Sequence, residues 1–221
     1  MKSLVLILLL FTTLVKANEY RHLPIPVVNA LRAAEQGLAD QYGREFEVRY
    51  HRQEPDQVPI SWLLQHQPNQ EKRWQLIMGN DGKPSDAELR EADRRWNRRR
   101  GSNEDGQIEL DLSNTEIVER AELWQIKLGL RLIRNGRVEE RLSDAIEAYA
   151  WFDPSQQMIT RLQAQSIEPF RIYVLSVQHF ELEMSFKRHD NNIVTAHLDQ
   201  EVQARALLWS WNQRTSYEYL Y

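Results

Sequence analysis

The chain has 221 residues, a formal net charge of −4 and no cysteine. This length can bury the core of one large domain, and the absence of cysteine means that packing, without disulfides, must hold the fold. The slight acidic excess argues against a nucleic-acid-binding protein, which would normally carry a basic excess.

The first residues have the pattern of a secretion signal. Met1–Ser3 carries one lysine, Leu4–Val15 is a stretch of apolar residues and threonines, and Ala17 provides a small residue for cleavage. The apolar stretch is shorter than the ~20 residues of a membrane span. The pattern therefore predicts export to the periplasm with cleavage after Ala17, and residues 18–221 are expected to form a single domain without a transmembrane segment.

Two helices are predicted in the first half of the chain. Apolar residues at helical spacing predict an amphipathic helix over Val27–Tyr42. Ser85 and Glu88 have the spacing of a capping box, which predicts a second helix running towards Arg98. The segment 98–106 is charged and glycine-flanked and has no apolar residue, so a mobile loop is predicted there.

Most of the remaining chain alternates apolar and polar residues, which is typical of half-buried strands. The predicted strands lie at 46–51, around Trp62 and Leu64, and at 74–78, 124–132, 138–142, 147–152, 158–164, 170–186, 193–198 and 202–221. The segment 170–186 is long enough for either two strands or one bent strand. Asn135-Gly136 predicts a tight hairpin, and Ile108–Leu110 is interpreted as a short turn or helix. The sum is an α+β fold: a large curved antiparallel sheet, an unclosed barrel, whose concave face is covered by the two helices.

Two segments resemble a known group of proteins. They are RWQLIMGNDGKPSDAEL and WFDPSQQMITRLQAQSIEPFRIYVLSVQHFELEMSF, and the resemblance extends from Arg73 to the last residue. They are similar to a family of exported bacterial proteins related to the outer-membrane lipoprotein-sorting carriers. The resemblance implies a half-open β-barrel with an apolar cavity between sheet and helices. It carries over no catalytic residue and no ligand-binding residue.

The apolar face of the sheet leaves two functions open, because such a surface must be covered by helices or by a ligand. In the first, the protein is a carrier that holds a lipid or a lipidated peptide between sheet and helices. In the second, the core is packed, and the protein is a sensor or assembly module that binds a periplasmic protein partner. The candidate lining residues are Trp124, Ile126, Leu128, Phe180, Leu182, Met184, Trp209 and Trp211.

A run of arginines near the second helix is a candidate basic patch. It consists of Arg94, Arg95, Arg98, Arg99 and Arg100. Such a run attracts anionic surfaces. It also suits the solvated C-terminal end of a helix, where the macrodipole is negative.

Catalytic and metal-binding patterns are not found in the sequence. It contains no Gly-x-Ser-x-Gly elbow, no phosphate-binding loop and no cysteine nucleophile. His189-Asp190 and His197-x-Asp199 flank a predicted turn and are interpreted as surface residues. Glu181 and Glu183 lie opposite the apolar face of their strand, which disfavours a glycosidase pair in an apolar cleft. The sequence therefore predicts a protein that is not an enzyme and has no cofactor and no bound metal.

Overall fold

The structure is a computed structural model that describes residues 23–97, 107–134, 137–138, 144–172, 175–206 and 209–221. The predicted signal segment 1–17, the predicted loop 98–106 and the Asn135-Gly136 turn lie outside these residues.

The described residues form twelve β-strands in one sheet. In chain order, β1 to β12 cover Phe46–Gln53, Ile60–His66, Trp74–Met78, Gln107–Arg120, Trp124–Arg134, Arg137–Val138, Ile146–Asp153, Met158–Ser166, Phe170–Ile172, Leu175–His189, Asn192–Ala206 and Trp209–Leu220. Ten of them lie in the order β3-β2-β1-β12-β11-β10-β8-β7-β5-β4, while β6 pairs with β5 and β9 pairs with β10. Neighbouring strands are antiparallel, and the edge strands β3 and β4 do not pair with each other, so the sheet is not closed.

Two helices pack on the same face of the sheet, which we call the inner face. The first, α1, covers Ile25–Gln41, and the second, α2, covers Asp86–Ala92 and continues as a π-helical turn over Asp93–Asn97. Next to α1, the Tyr42 ring lies 6.5 Å from that of Phe46, and next to α2 the Trp96 ring lies 5.5 Å from that of Tyr50. Phe46 and Tyr50 share one buried face of β1. The predicted α+β fold, an unclosed antiparallel sheet covered by helices, is confirmed.

Helix α1 crosses the sheet along one end. Its outer side and the turns at Gln157 and Asn191 line a surface groove of about 390 Å³ that follows the helix from Ile25 to Arg44. We call this end of the sheet the helix end, and the opposite end, where β11 finishes and β12 begins, the open end. The other side of α1 is apolar and buried, with Val27, Val28, Ala30, Leu31 and Ala34 in the main core.

Helix α2 runs towards Arg98 as far as the described residues reach. Its α-helical part ends at Ala92, the π-helical turn extends to Asn97, and Arg98 lies outside the described residues. The Asn97 side-chain amide accepts from the Trp74 N–H at 3.0 Å and donates to the Trp74 carbonyl at 2.9 Å. These bonds attach the π-helical turn to edge strand β3.

The predicted capping box at the start of α2 is present. The Ser85 hydroxyl accepts from the Glu88 N–H, and the Glu88 carboxylate accepts from the Ser85 N–H at 2.9 Å. The same carboxylate accepts from the Asn80 N–H at 2.9 Å and from the Trp62 indole N–H at 3.3 Å. Glu88 therefore joins α2 to β2 and to the turn after β3. Hydrogen bonds from Asn80 and Ser85 lower the pKa of Glu88 to about 2.

We expect acid to remove the contribution of Glu88 to stability. A folded-state pKa of about 2 lies below the ordinary value of 4.5, so the ionised carboxylate stabilises the fold above about pH 4.5. That stabilisation is lost as the pH falls towards 2. Glu88→Gln should therefore lower the free energy of unfolding at pH 7 and have little effect at pH 2, measured by urea unfolding across this range.

The control for this measurement is Glu71→Gln, at an exposed glutamate before β3. It should leave the pH dependence of the wild type intact. An equal loss of stability at pH 7 and pH 2 in Glu88→Gln would contradict a role for the ionised carboxylate.

Three predicted strand segments are settled or corrected by the pairing. Segment 170–186 contains two strands, β9 and β10, which pair with each other. Ile108–Leu110 is neither a turn nor a helix, because it belongs to β4 and pairs with β5 at Ile108↔Leu132 and Leu110↔Leu130. The predicted strand 202–221 is also wrong, since Val202 to Ala206 complete β11 and β12 begins at Trp209. On either side of Asn135-Gly136, which lies outside the described residues, β5 and β6 pair antiparallel at Ile133↔Val138 and Arg134↔Arg137.

Candidate functional site

The largest apolar cluster of the inner face lies between α1 and the centre of the sheet. Five of the predicted lining residues belong to it and are at most 5% exposed: Ile126, Leu128, Phe180, Leu182 and Met184. Side chains at this burial are packed against other protein atoms. With α1 in this position, these five residues form a closed core.

Two more lining candidates, Trp209 and Trp211, lie at the open end. They share the inner face of β12, where they pair with Ala206 and Ala204 of β11. Trp211 is partly buried against the main core, whereas Trp209 is 62% exposed. An exposed tryptophan beside a second one and opposite two alanines forms an apolar surface that the described residues leave uncovered.

The eighth candidate, Trp124, is far from this surface. It begins β5 and pairs with Phe152 on β7, and the two ring centroids are 5.6 Å apart. This pair lies near the turn between β7 and β8, at the helix end, and Arg120 covers the Trp124 ring at 4.8 Å. The structure therefore distributes the eight candidates over a closed core, the helix end and the open end.

Exposure along β12 falls steadily from the open end inwards. The inner-face positions of the strand are Trp209, Trp211, Gln213 and Thr215. The first is 62% exposed, the second partly buried, and Gln213 and Thr215 are 5% and 2% exposed. An apolar surface at the open end thus leads directly to buried polar side chains.

The buried polar side chains lie side by side across three strands. Thr215 of β12 is paired with Arg52 of β1 on one side and with Gln200 of β11 on the other, and Gln213 lies next to Thr215 along β12. We call these four residues the polar row. Arg52 and Gln200 are 8% and 7% exposed, so the whole row is buried. The Oε1 atom of Gln213 is buried without a hydrogen-bond partner among the described residues.

The positive charge of Arg52, the one charged member of the polar row, is neutralised by a carboxylate of the protein itself. The Arg52 guanidinium forms an ion pair with Glu54, and its Nε donates to the same carboxylate at 2.6 Å. Nearby, Arg95 pairs with Glu91 and donates to the Tyr50 hydroxyl at 3.2 Å. Each arginine at this position therefore has its own carboxylate.

The predicted basic patch is divided by the fold. Arg95 faces inwards, with only 10% of its side chain exposed, and it contacts Glu91 and the Tyr50 hydroxyl. Arg94 is exposed, with Glu91 at 3.9 Å. Arg98, Arg99 and Arg100 lie outside the described residues.

The histidines in the described part of the chain do not form a second candidate site, either as a catalytic triad or as a metal centre. On the outer face, His197 Nε2 lies 2.9 Å from Asp199 and 3.4 Å from the Ser216 hydroxyl, so one nitrogen faces both partners. A nucleophile–base–acid triad would need both ring nitrogens. His66 is buried among aromatic rings, with Nδ1 2.9 Å from the Arg44 carbonyl, and burial lowers its pKa. No group of three or more potential metal ligands occurs among the described residues.

The described helices include none with the length and apolar character needed to cross a membrane.

No protein-family model matches the chain, and no curated protein matches it. Among solved structures, the crystal structure of the LolA superfamily protein NE2245 from Nitrosomonas europaea is similar, with a TM-score of 0.39 and 10% sequence identity. The similarity covers 86% of this chain and 90% of that chain.

Proposed function

We propose that the protein is a periplasmic carrier that binds an apolar chain, such as that of a lipid or a lipidated peptide, on the inner face at the open end. The observation that carries this proposal is the exposure of Trp209 beside Trp211, on the face that is otherwise the dry side of the sheet. Export is part of the proposal, and an intact mass of the mature protein that still contained residues 1–17 would contradict it.

The binding energy follows from the area that a ligand removes from water. Each buried methylene contributes about 0.8 kcal/mol, and aromatic rings provide broad, rigid surfaces for such a chain. A chain seated on Trp209 would extend along the inner face towards Trp211, which is partly buried against the main core. The ligand therefore needs no displacement of the five core residues beneath α1.

The alternative is a protein-interaction module with a filled core. It is favoured by one observation, namely the burial of Ile126, Leu128, Phe180, Leu182 and Met184, which leaves no space for a ligand in the centre of the sheet. In this case Trp209 would contact a protein partner. The two functions differ in whether the purified protein takes up an acyl chain.

A dansyl-labelled fatty amide tests the carrier directly. We expect it to bind the wild type with an increase in fluorescence, and Trp209→Ser to weaken binding about tenfold. The estimate assumes about 60 Å² of lost apolar contact at about 25 cal/mol per Å², or about 1.5 kcal/mol. Titration of the probe at constant protein concentration measures both dissociation constants.

The matched control is Trp151→Ser. Trp151 is a tryptophan on the outer face of β7, where its ring stacks against Arg161 at 4.7 Å. This variant should bind the probe like the wild type. Equal weakening by both substitutions would remove the open end as the site, and absence of binding to the wild type would favour the interaction module.

A further inference from the structure

The polar row is an unusual feature on the inner face. Buried polar groups are nearly always hydrogen-bonded, and leaving one unpaired destabilises the fold. Gln213 is 5% exposed, and its Oε1 atom has no partner among the described residues. An apolar side chain at this position would pack on the inner face without that cost. The unpaired oxygen, one of five such buried side-chain atoms among the described residues, leaves a position that a hydrogen-bond donor from outside the chain can fill.

The position of the row relates it to the proposed ligand site. Gln213 follows Trp211 on the same face of β12, one step further from the open end. Because Gln213 is 5% exposed, the polar end of a molecule whose apolar part lies on the two tryptophans would reach it only when neighbouring side chains at the open end move aside. Thr215 and Gln200 are adjacent and provide further hydrogen-bonding groups.

The charge of the row limits the kind of polar end that fits. Arg52 is paired with Glu54 and Arg95 with Glu91, so the arginines around the row offer little net positive charge to an anion. The unpaired atom is a carbonyl oxygen, which needs a hydrogen-bond donor. A carboxylate supplies no donor and would be buried without a free counter-charge, which is costly.

We propose that the polar row recognises the head of an amphiphilic ligand, and that this head is neutral and donates a hydrogen bond to Gln213, as an amide or a hydroxyl group does. This rests on the proposed function, because it assigns the other end of the same ligand. The chain of the ligand gives affinity through the tryptophans, and the head gives selectivity through Gln213.

Competition experiments with three ligands of equal chain length test the assignment. Dodecanamide, methyl dodecanoate and dodecanoate are each used to displace a dansyl-labelled fatty amide from the full chain. We expect dodecanamide to compete about tenfold better than methyl dodecanoate, which lacks a hydrogen-bond donor. This ratio corresponds to one hydrogen bond to a buried group. Dodecanoate should compete no better than methyl dodecanoate, because its charge finds no free counter-charge.

Gln213→Leu identifies the residue. It should reduce the preference for dodecanamide over methyl dodecanoate to about one and leave the affinity for methyl dodecanoate unchanged. Gln203→Leu is the matched control, since Gln203 lies on the outer face of β11 and donates to Glu201. It should retain the wild-type preference.

The stability of the ligand-free variant gives an independent readout. Replacing an unpaired buried amide with leucine should leave the thermal midpoint equal or raise it. If Gln213→Leu does not fold, the Gln213 amide has a structural role and the assignment is wrong.

The results separate the inference from the proposed function. Failure of all three ligands to displace bound probe, or of the probe to bind at all, rejects the carrier. If dodecanamide and methyl dodecanoate both bind and compete equally, the carrier is retained and the head-group site is overturned. This result is expected if an ordered water molecule, and no ligand, forms the hydrogen bond to Gln213. A preference that persists in Gln213→Leu overturns it as well.

Discussion

Replacing Gly37 with alanine is expected to destabilise the protein by about 2 kcal/mol or more, although alanine favours a helix over glycine by about 1 kcal/mol. A Cβ atom at this position would lie 2.1 Å from the Ile193 carbonyl oxygen and 3.0 Å from the carbonyl carbon. Both are backbone atoms of β11, which cannot turn aside as a flexible side chain can. Helix α1 would have to move away from the sheet, and its apolar contacts would loosen.

Urea unfolding of Gly37→Ala and of a matched helix variant measures this effect. Asn29→Ala is the control, because Asn29 lies on the exposed side of α1 and alanine there should be neutral or slightly stabilising. A higher free energy of unfolding for Gly37→Ala would show that α1 does not approach β11 this closely.

Phe152→Ala is expected to cost about 3–5 kcal/mol. Phe152 is 2% exposed and is the largest of the fully buried side chains of the described core. Its ring packs edge-on against Trp124, and it lies in the cluster that seats α1. Removal of the ring leaves a cavity that the surrounding strands can fill only in part, because both flanking strands are fixed by their hydrogen bonds.

The urea midpoint should fall while the slope of the unfolding transition stays constant, as expected for a loss of native-state packing. Ile167→Ala provides the comparison. Ile167 is 55% exposed, after β8, and its truncation should change stability by less than about 0.5 kcal/mol. Similar losses in the two variants would mean that Phe152 is not a central part of the core.

Local patterns in the sequence predicted most elements of the fold. The capping box of Ser85 and Glu88 located the start of α2, and alternation located most strands to within a few residues. Ile108 and Leu110 also alternate with acidic residues, but the charged segment before them obscured the start of β4. The order of the strands was not predictable, because β12 pairs with β1 and nothing local to either strand specifies a partner so distant in sequence.

The candidate site was only partly predictable. Trp209 and Trp211 were identified from their shared face, but alternation does not indicate which residues a helix will cover, and the closed core beneath α1 was grouped with them. The polar row was missed entirely. Its signal in the sequence is that Gln213 and Thr215 alternate in step with Trp209 and Trp211, so all four lie on the inner face. Polar residues at such positions usually mean that this part of the strand is exposed to solvent, and only the neighbouring strands show that it is buried.

The pairing of β1 with β12 has a consequence for how the chain folds. Arg49 and Glu218, which pair across these strands at 2.9 Å, are separated by 169 residues. Helix α1 rests on β11 and β8, and the cluster beneath α2 includes Tyr217 of β12. Helix α1 is therefore synthesised before the strands on which it rests, whereas the surface beneath α2 comes mostly from β1 to β3 and is completed by β12. Contacts between such distant segments make folding slow. The last strands must reach the first part of the chain before α1 has a surface to rest on and the surface beneath α2 is complete.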